Sequence, residues 1–199
     1  MKINCIIQAR MGSTRLPGKV LEKIGDSTLL GMVLSRCDLA RNIDKVIVAW
    51  NGPKYDKAQK KDGSERYWVG GPEEPAARFV KVLAEYPCDG FVRVCADSPF
   101  IDAESVDKAA NGLQDFVYFQ YNGHAHGNQA EGFDTEAFLR AEPSMQGDER
   151  EHLGLWFHHR DRLTVDTPAD LERARLIVSR MTKPHTEYTA AECLDLLRK

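Results

Sequence analysis

Between residues 8 and 19 the chain reads Gln8-Ala9-Arg10-Met11-Gly12-Ser13-Thr14-Arg15-Leu16-Pro17-Gly18-Lys19, directly after an apolar run. Two arginines and a lysine offer forked and point-charge donors to phosphate oxygens, and the glycines let backbone approach a bound group closely. Residues 1–24 hold five basic residues, Lys2, Arg10, Arg15, Lys19 and Lys23, against Glu22 alone, a balance of +4 in a chain of formal charge −3. Positive charge is thus concentrated where the glycines are, and the stretch fits a triphosphate cradle. A surface loop with merely solvated charges is the competing reading. A P-loop fails on spacing, since it has four residues between its glycines and Ser or Thr after its lysine. Here five residues separate Gly12 from Gly18, and Val20 follows Lys19. A dinucleotide-type Gly-x-Gly-x-x-Gly is absent as well.

Two acids occupy corresponding places further along. Asp97 follows the apolar run Phe91-Val92-Arg93-Val94-Cys95, and Asp166 follows Arg162-Leu163-Thr164-Val165. Thr167, Pro168 and Asp170 make a helix start, with Thr167 as N-cap, Pro168 at the first helical position and Asp170 in the first turn. Capping accounts for Asp170 but not for Asp166. Two carboxylates converging on a triphosphate would repel each other without a cation between them, and Mg2+ suits one or two carboxylates plus phosphate oxygens. The alternative is a pair of ordinary turn aspartates. His124 and His126 lack Cys, Asp or Glu at zinc spacing and read as solvated loop residues, as do His158 and His159.

These residues need a scaffold that gathers them. Apolar runs predict strands over residues 2–8, 45–50, 91–95, 116–119 and 162–165. Between them, 3,4-spaced apolar residues predict helices: one from Asp26-Ser27 carrying Leu29, Leu30, Val33 and Leu34, and one carrying Ala76, Phe79, Val80 and Leu83. Further helices are expected over 103–112, 133–140, 151–159 and 168–181, with a last one through Cys193, Leu194 and Leu197. This alternation predicts an α/β fold with a mostly parallel central sheet flanked by helices. In such sheets, loops leaving the carboxyl ends of strands form the ligand crevice, which places loop 8–19 and Asp97 at one edge. Residues 120–133, polar and rich in Gly, His and Asn, read as a long loop or arm. Residues 1–199 read as a single domain.

Composition bounds the function classes. With 199 residues, 42% hydrophobic and 29% charged, the chain is long enough for a core without disulfides, and disordered or collagen-like classes drop out. A formal charge of −3 argues against a dedicated nucleic-acid binder. No apolar run approaches bilayer length, and no secretory signal pattern precedes Gln8, so a cytoplasmic protein with no membrane partner is expected. Five cysteines without a Cys-x-x-Cys spacing predict reduced thiols.

Taken together, the motifs resemble the spore-coat polysaccharide-type cytidylyltransferases, relatives of the CMP-Kdo and CMP-acylneuraminate synthetases. The stretch from Gln8 to Leu21 is similar to that family's Q-A-R-x-x-S-x-R-L-P-G-K-x-L signature. Val92 to Asp102 resembles its R-x-x-x-D-x-P-x-x-D segment, and Leu163 to Leu171 its V-D-T-P-x-D-L segment, with Glu151-His152 resembling a short E-H element. The resemblance implies a nucleotide-diphospho-sugar transferase (Rossmann-like) fold and transfer of CMP from CTP to a sugar-like or other small acceptor, with release of pyrophosphate. Gln8, Ala9, Arg10, Gly12, Ser13, Arg15, Lys19 and Asp97 would bind the nucleotide; Lys19, Arg15 and Asp97 would be catalytic; Asp97 and Asp166 would hold Mg2+. Arg78, Asp134, Glu136 and His152 would face the acceptor, with 120–133 on the same side. Gly132-Phe133-Asp134-Thr135-Glu136 is similar to an acceptor-side G-x-D-x-E element, while the segment around Arg78-Phe79 lacks the Asp its counterpart carries. The chain is also a few dozen residues shorter than typical members, which implies a smaller acceptor pocket. Expected partners are CTP and a small-molecule acceptor, with self-association into a homodimer left open. The rival readings are a nucleotidylyltransferase for another base and a non-catalytic nucleotide-binding protein.

Overall fold

A computed structural model describes residues 1–52, 67–160, 163 and 165–198, which form two compact units, Met1–Gly154 and Leu155–Lys199. The first unit is built on a six-stranded sheet. Its strands are β1 (Ile3–Arg10), β4 (Lys45–Asn51), β5 (Tyr67–Gly70), β6 (Gly90–Cys95), β7 (Tyr118–Tyr121) and β8 (Ala130–Asp134), in the order β5-β4-β1-β6-β8-β7. β1 is central and pairs in parallel with β4 and β6, while β8 runs antiparallel to both β6 and β7. A central parallel strand is covered on both faces, which is why residues 3–7 are all buried and carry no alternation.

Helices α1 (Leu29–Cys37) and α3 (Ala103–Gly112) close one face, where Leu30, Val33, Val106 and Ala109 join Cys5, Ile7, Val92 and Val94 in the main core. Alternation along β6 sends Phe91 to the opposite face. There it meets Phe79 of α2 (Pro75–Glu85) and Phe138 of α4 (Thr135–Ala141), with ring centroids 5.5 and 5.2 Å away. Among the described residues no helix is long and apolar enough to cross a membrane.

Several expected boundaries shift for local reasons. Residues 23–28 form a two-stranded hairpin, β2 (Lys23–Ile24) with β3 (Ser27–Thr28), so α1 begins only after Thr28, whose Oγ1 accepts from the Gly31 amide at 3.0 Å. The reading of 120–133 as a loop is corrected: β7 continues to Tyr121 and β8 starts at Ala130, leaving only residues 122–129 as connection. The helix expected from 133 starts at Thr135, because Asp134 caps it by accepting from the Ala137 amide at 2.7 Å. The helix expected over 151–159 is two, α5 (Asp148–Glu151) and α6 (Gly154–Arg160), with His152 in a non-helical conformation between them. β5 has no counterpart among the expected strands. Of the strand expected over 162–165, residues 162 and 164 lie outside the described residues, and Leu163 and Val165 are in no strand.

In the second unit, α7 (Pro168–Ser179) carries the expected capping box: the Thr167 side chain accepts from the Asp170 amide, and Asp170 accepts from the Thr167 amide at 2.8 Å. α8 (Ala190–Arg198) starts in the same way, from Thr189 and Glu192.

Candidate active site

β1 delivers Arg10 to the carboxyl edge of the sheet, and the chain then folds back on Met11. The Met11 amide donates to the Asn51 carbonyl at 2.9 Å, while its own carbonyl accepts from the Ser13 and Gly18 amides at 2.9 and 3.1 Å. Gly18 has φ 69°, a left-handed conformation that costs an L side chain about 1–2 kcal/mol. It feeds directly into the short 3-10 turn Lys19–Leu21, anchored by buried Val20. The root of Lys19 is therefore fixed by backbone.

The second contribution comes from the neighbouring strand. The Ala96 amide donates to the Gln8 carbonyl at 3.0 Å, extending the β1–β6 ladder, and the Ser98 amide closes a turn on the Cys95 carbonyl at 3.2 Å. This turn holds Asp97 against the loop, and its carboxylate forms an ion pair with Lys19 Nζ. Between loop and strand ends opens a cleft of about 540 Å³, lined by Gln8, Arg10, Ser13, Arg15, Lys19, Asp97 and His152 among the expected residues. Arg93, Cys95, His126 and Glu151 complete most of its polar wall.

Charge in the cleft is partly matched. Arg10 Nη1 lies 3.0 Å from Glu151 Oε1, and Lys19 is matched by Asp97. Arg15 is exposed and makes no ion pair among the described residues, so it presents unmatched positive charge. Burial pushes the Cys95 thiol above its usual range, which keeps it protonated near neutrality and unsuited to nucleophilic attack. The Ser13 hydroxyl accepts from the Leu16 amide at 3.3 Å and so helps shape the loop.

Other expected residues are placed differently. Ala9 is buried in the core and does not line the cleft, and Gly12 lies in the exposed part of the loop. Arg78 is fully buried in α2, with Nη1 3.5 Å from the Ala9 carbonyl and Nε and Nη2 without hydrogen-bond partners among the described residues. Burial draws its guanidinium down to about 10. Asp134 and Glu136 are not brought to the cleft. Asp134 pairs in register with Gly90, at the opposite end of β6 from Cys95, and caps α4; Glu136 pairs with Arg140 at 3.1 Å on that helix's exposed face. Their acceptor-side assignment is therefore corrected to helix capping and surface pairing. Asp166 lies in the second unit, where its amide donates to Asp170 Oδ2 at 3.2 Å.

Sequence reasoning assigned no role to Arg93, Glu151 or His126 in the cleft. An arginine inside an otherwise apolar strand was the visible signal for Arg93. No comparable signal marks His126, since its place depends on where residues 122–129 cross.

Comparison with known proteins bears on this arrangement. A family model for cytidylyltransferases matches residues 4–189. The uncharacterized protein MJ1063 of Methanocaldococcus jannaschii is 31% identical over 169 residues, covering 82% of this chain and 70% of that protein. The spore coat polysaccharide biosynthesis protein SpsF of Bacillus subtilis is 36% identical over 110 residues, covering 51% of this chain and 45% of that protein. The chain thus spans less than half the length of SpsF. Among solved structures, a cytidylyltransferase from Leptospira borgpetersenii matches with TM-score 0.69 and 25% identity, covering all of this chain and 94% of that one. CMP:2-keto-3-deoxy-manno-octonic acid synthetase complexed with CTP matches at TM-score 0.65 and 18% identity, over 90% of this chain and 99% of that one. The manganese complex of Rv0371c from Mycobacterium tuberculosis matches at TM-score 0.58 and 20% identity, over 87% and 97%. The mostly parallel sheet is accordingly that of the nucleotide-diphospho-sugar transferase fold. With the signature loop, the acid at the end of β6 and a match spanning nearly the whole chain, the protein belongs to the cytidylyltransferase family, which makes it a nucleotidyltransferase.

Proposed function

We propose that the cleft binds CTP together with a divalent cation, Mg2+, and transfers the cytidylyl group to a small acceptor. The observation that carries this reading is the convergence of Arg10, Arg15, Lys19 and Asp97, from a loop and a neighbouring strand end, on one cleft in a member of this family. An acceptor oxygen attacks the α-phosphorus of CTP; the bond from that phosphorus to the bridging oxygen of the β-phosphate breaks, and pyrophosphate leaves. Such chemistry asks the protein for positioning and charge neutralisation and needs no covalent nucleophile.

Arg15 and Lys19 neutralise triphosphate charge in this reading, and Arg10, held by Glu151, contributes a fixed positive edge. Asp97 suits a hard cation, because it offers a half-exposed carboxylate beside the proposed triphosphate site, the kind of oxygen donor that Mg2+ takes together with phosphate oxygens. When bound, Mg2+ polarises the phosphoryl oxygens and offsets their charge. His152, which lines the cleft, is assigned to the acceptor side. Preference for cytosine rests on family membership, since the charges of the loop select no base.

Pyrophosphate release over a matrix of the four nucleoside triphosphates and a panel of sugar acids, sugar phosphates and alditols tests the proposal. Release with CTP and one acceptor class is expected. Equal release with other triphosphates would replace CTP by a broader nucleotide specificity. Nucleotide binding without release for any acceptor would favour a non-catalytic role.

A further inference from the structure

β6 is apolar except at Arg93, which is only 7% exposed. Its register partner on β8 is Glu131, in a sheet that two residues earlier pairs Phe91 with Phe133. Nη1 of Arg93 forms an ion pair with Glu131 Oε2, and Nε donates to Gln8 Oε1 at 2.7 Å. The second Glu131 oxygen accepts from the Tyr118 hydroxyl at 3.0 Å. A Cβ at Gly154 would collide with both that carboxylate and that hydroxyl, so the position at the start of α6 admits no larger residue while this cluster stands. β1 and β8 thus hold the Arg93 guanidinium, while Tyr118 of β7 and Gly154 close around the Glu131 carboxylate that pairs with it.

Stability does not explain such a cluster. Taking two charges out of water costs more than their attraction commonly returns, and apolar residues of similar volume often do as well or better. The neighbouring phenylalanine pair demonstrates the apolar alternative in the same sheet. The difference is that Arg93 lines the cleft, whereas Phe91 does not. Its remaining amino group, Nη2, is hydrogen-bonded to no described residue and keeps some exposure on the cleft side. That edge is open to a ligand. A guanidinium clamped at two nitrogens presents its third at a fixed angle, which is the condition for charge-assisted recognition of an oxyanion.

We propose that Arg93 is a substrate-contacting donor on the cleft floor, binding an oxyanion of the nucleotide or of the acceptor, and that Glu131 and Tyr118 are its positioning residues. The assignment rests on the transferase reading for its substrates but adds residues which that reading does not use.

The test compares wild type with the double variant Arg93→Met/Glu131→Met and the single variants Glu131→Gln and Tyr118→Phe. The double variant replaces the buried pair by apolar side chains, so it folds with a melting temperature near or above wild type. Its pyrophosphate release falls on the order of 100-fold in kcat/KM. Weakened Mg·CTP binding in calorimetry assigns the oxyanion to the nucleotide; unchanged Mg·CTP binding with a raised acceptor KM assigns it to the acceptor. Glu131→Gln and Tyr118→Phe raise the KM of that same substrate. Retention of wild-type kcat/KM by the folded double variant would overturn the proposal and leave the cluster as packing. A lower melting temperature without any KM change in Glu131→Gln would overturn the positioning role. Independently of turnover, the Arg93 Nε–H resonance is expected to shift on titration with Mg·CTP or with 2-keto-3-deoxy-manno-octonic acid as carboxylate probe. A resonance unmoved by both would also overturn it. Inactivity of the wild type on every acceptor would contradict the transferase reading alone, since this titration still decides the contact.

Discussion

Lys19 Nζ and the Asp97 carboxylate meet in an ion pair across 78 residues of sequence, joining the turn after β1 to the turn after β6. Each is a charge the proposed reaction needs separately, one for phosphate and the other for a cation. Paired, they hold each other at the cleft mouth. A ligand bringing both an anion and a cation exchanges this contact for two others. Lys19→Ala should therefore weaken nucleotide binding by roughly 10- to 100-fold, from the loss of a charge-assisted contact of about 1.5–3 kcal/mol. The fold should persist, because Asp97 is half exposed and remains solvated. Calorimetric titration with Mg·CTP checks the affinity, and wild-type binding by the variant would remove Lys19 from the site.

The sequence resemblance implies that Asp97 and Asp166 hold one cation, and that expectation has a thermodynamic signature. Asp→Asn at either position keeps shape and removes charge. Each single change should lower Mg2+-dependent turnover and weaken Mg2+ binding, and the double variant should lose much less than the sum of the single losses. Additive losses in the complete cycle of turnover measurements would instead describe two unrelated sites.

Arg78 gives a test of opposite sign for stability and function. It is fully buried with two unpartnered nitrogens, an arrangement that costs about 1–3 kcal/mol or more for a charged group. Arg78→Met should raise stability to unfolding by denaturant on that order while lowering turnover. A variant both stable and fully active would show that Arg78 serves neither substrate.

Acid sensitivity should appear at helix starts in the second unit. The Thr189 amide, then Lys183, then the Thr189 hydroxyl hold the Glu192 carboxyl at about 2, below its ordinary 4.5. The Thr167 hydroxyl foremost lowers Asp170 in the same direction. A carboxyl depressed in the folded state contributes fully above its unfolded value and loses that contribution as pH falls through its folded value. Amide exchange at the first turns of α7 and α8 should therefore be protected equally from roughly pH 7 to 5, and protection should decline below about 4.5. Loss of protection already above pH 5 would mean that these carboxylates do not govern the helix starts.

The legible and illegible parts of this protein divide along physical lines. β1, β4, β6 and α3 follow from local apolar pattern, since a strand buried on both faces or a helix with one apolar stripe writes its burial into consecutive residues. The signature loop and Asp97 follow from their position after such strands. β8 was hidden because Glu131, a polar residue, is paired with Arg93 38 residues away, and no local pattern records a cross-strand partner. Asp134 misled for the reverse reason: an acid before Thr-Glu-Ala matches an acceptor motif and a helix cap equally well, and only its register with Gly90 at the far end of β6 separates the two.

The account depends above all on the cleft being a CTP site. Thermal-shift titration of the intact chain with CTP, ATP, GTP and UTP, each with Mg2+, addresses this most directly, because a ligand bound to the native state raises stability by mass action. The expected result is a saturable rise with CTP at concentrations where the other three give little, abolished by Lys19→Ala. Equal rises with all four nucleotides, or a CTP response untouched by Lys19→Ala, would contradict it.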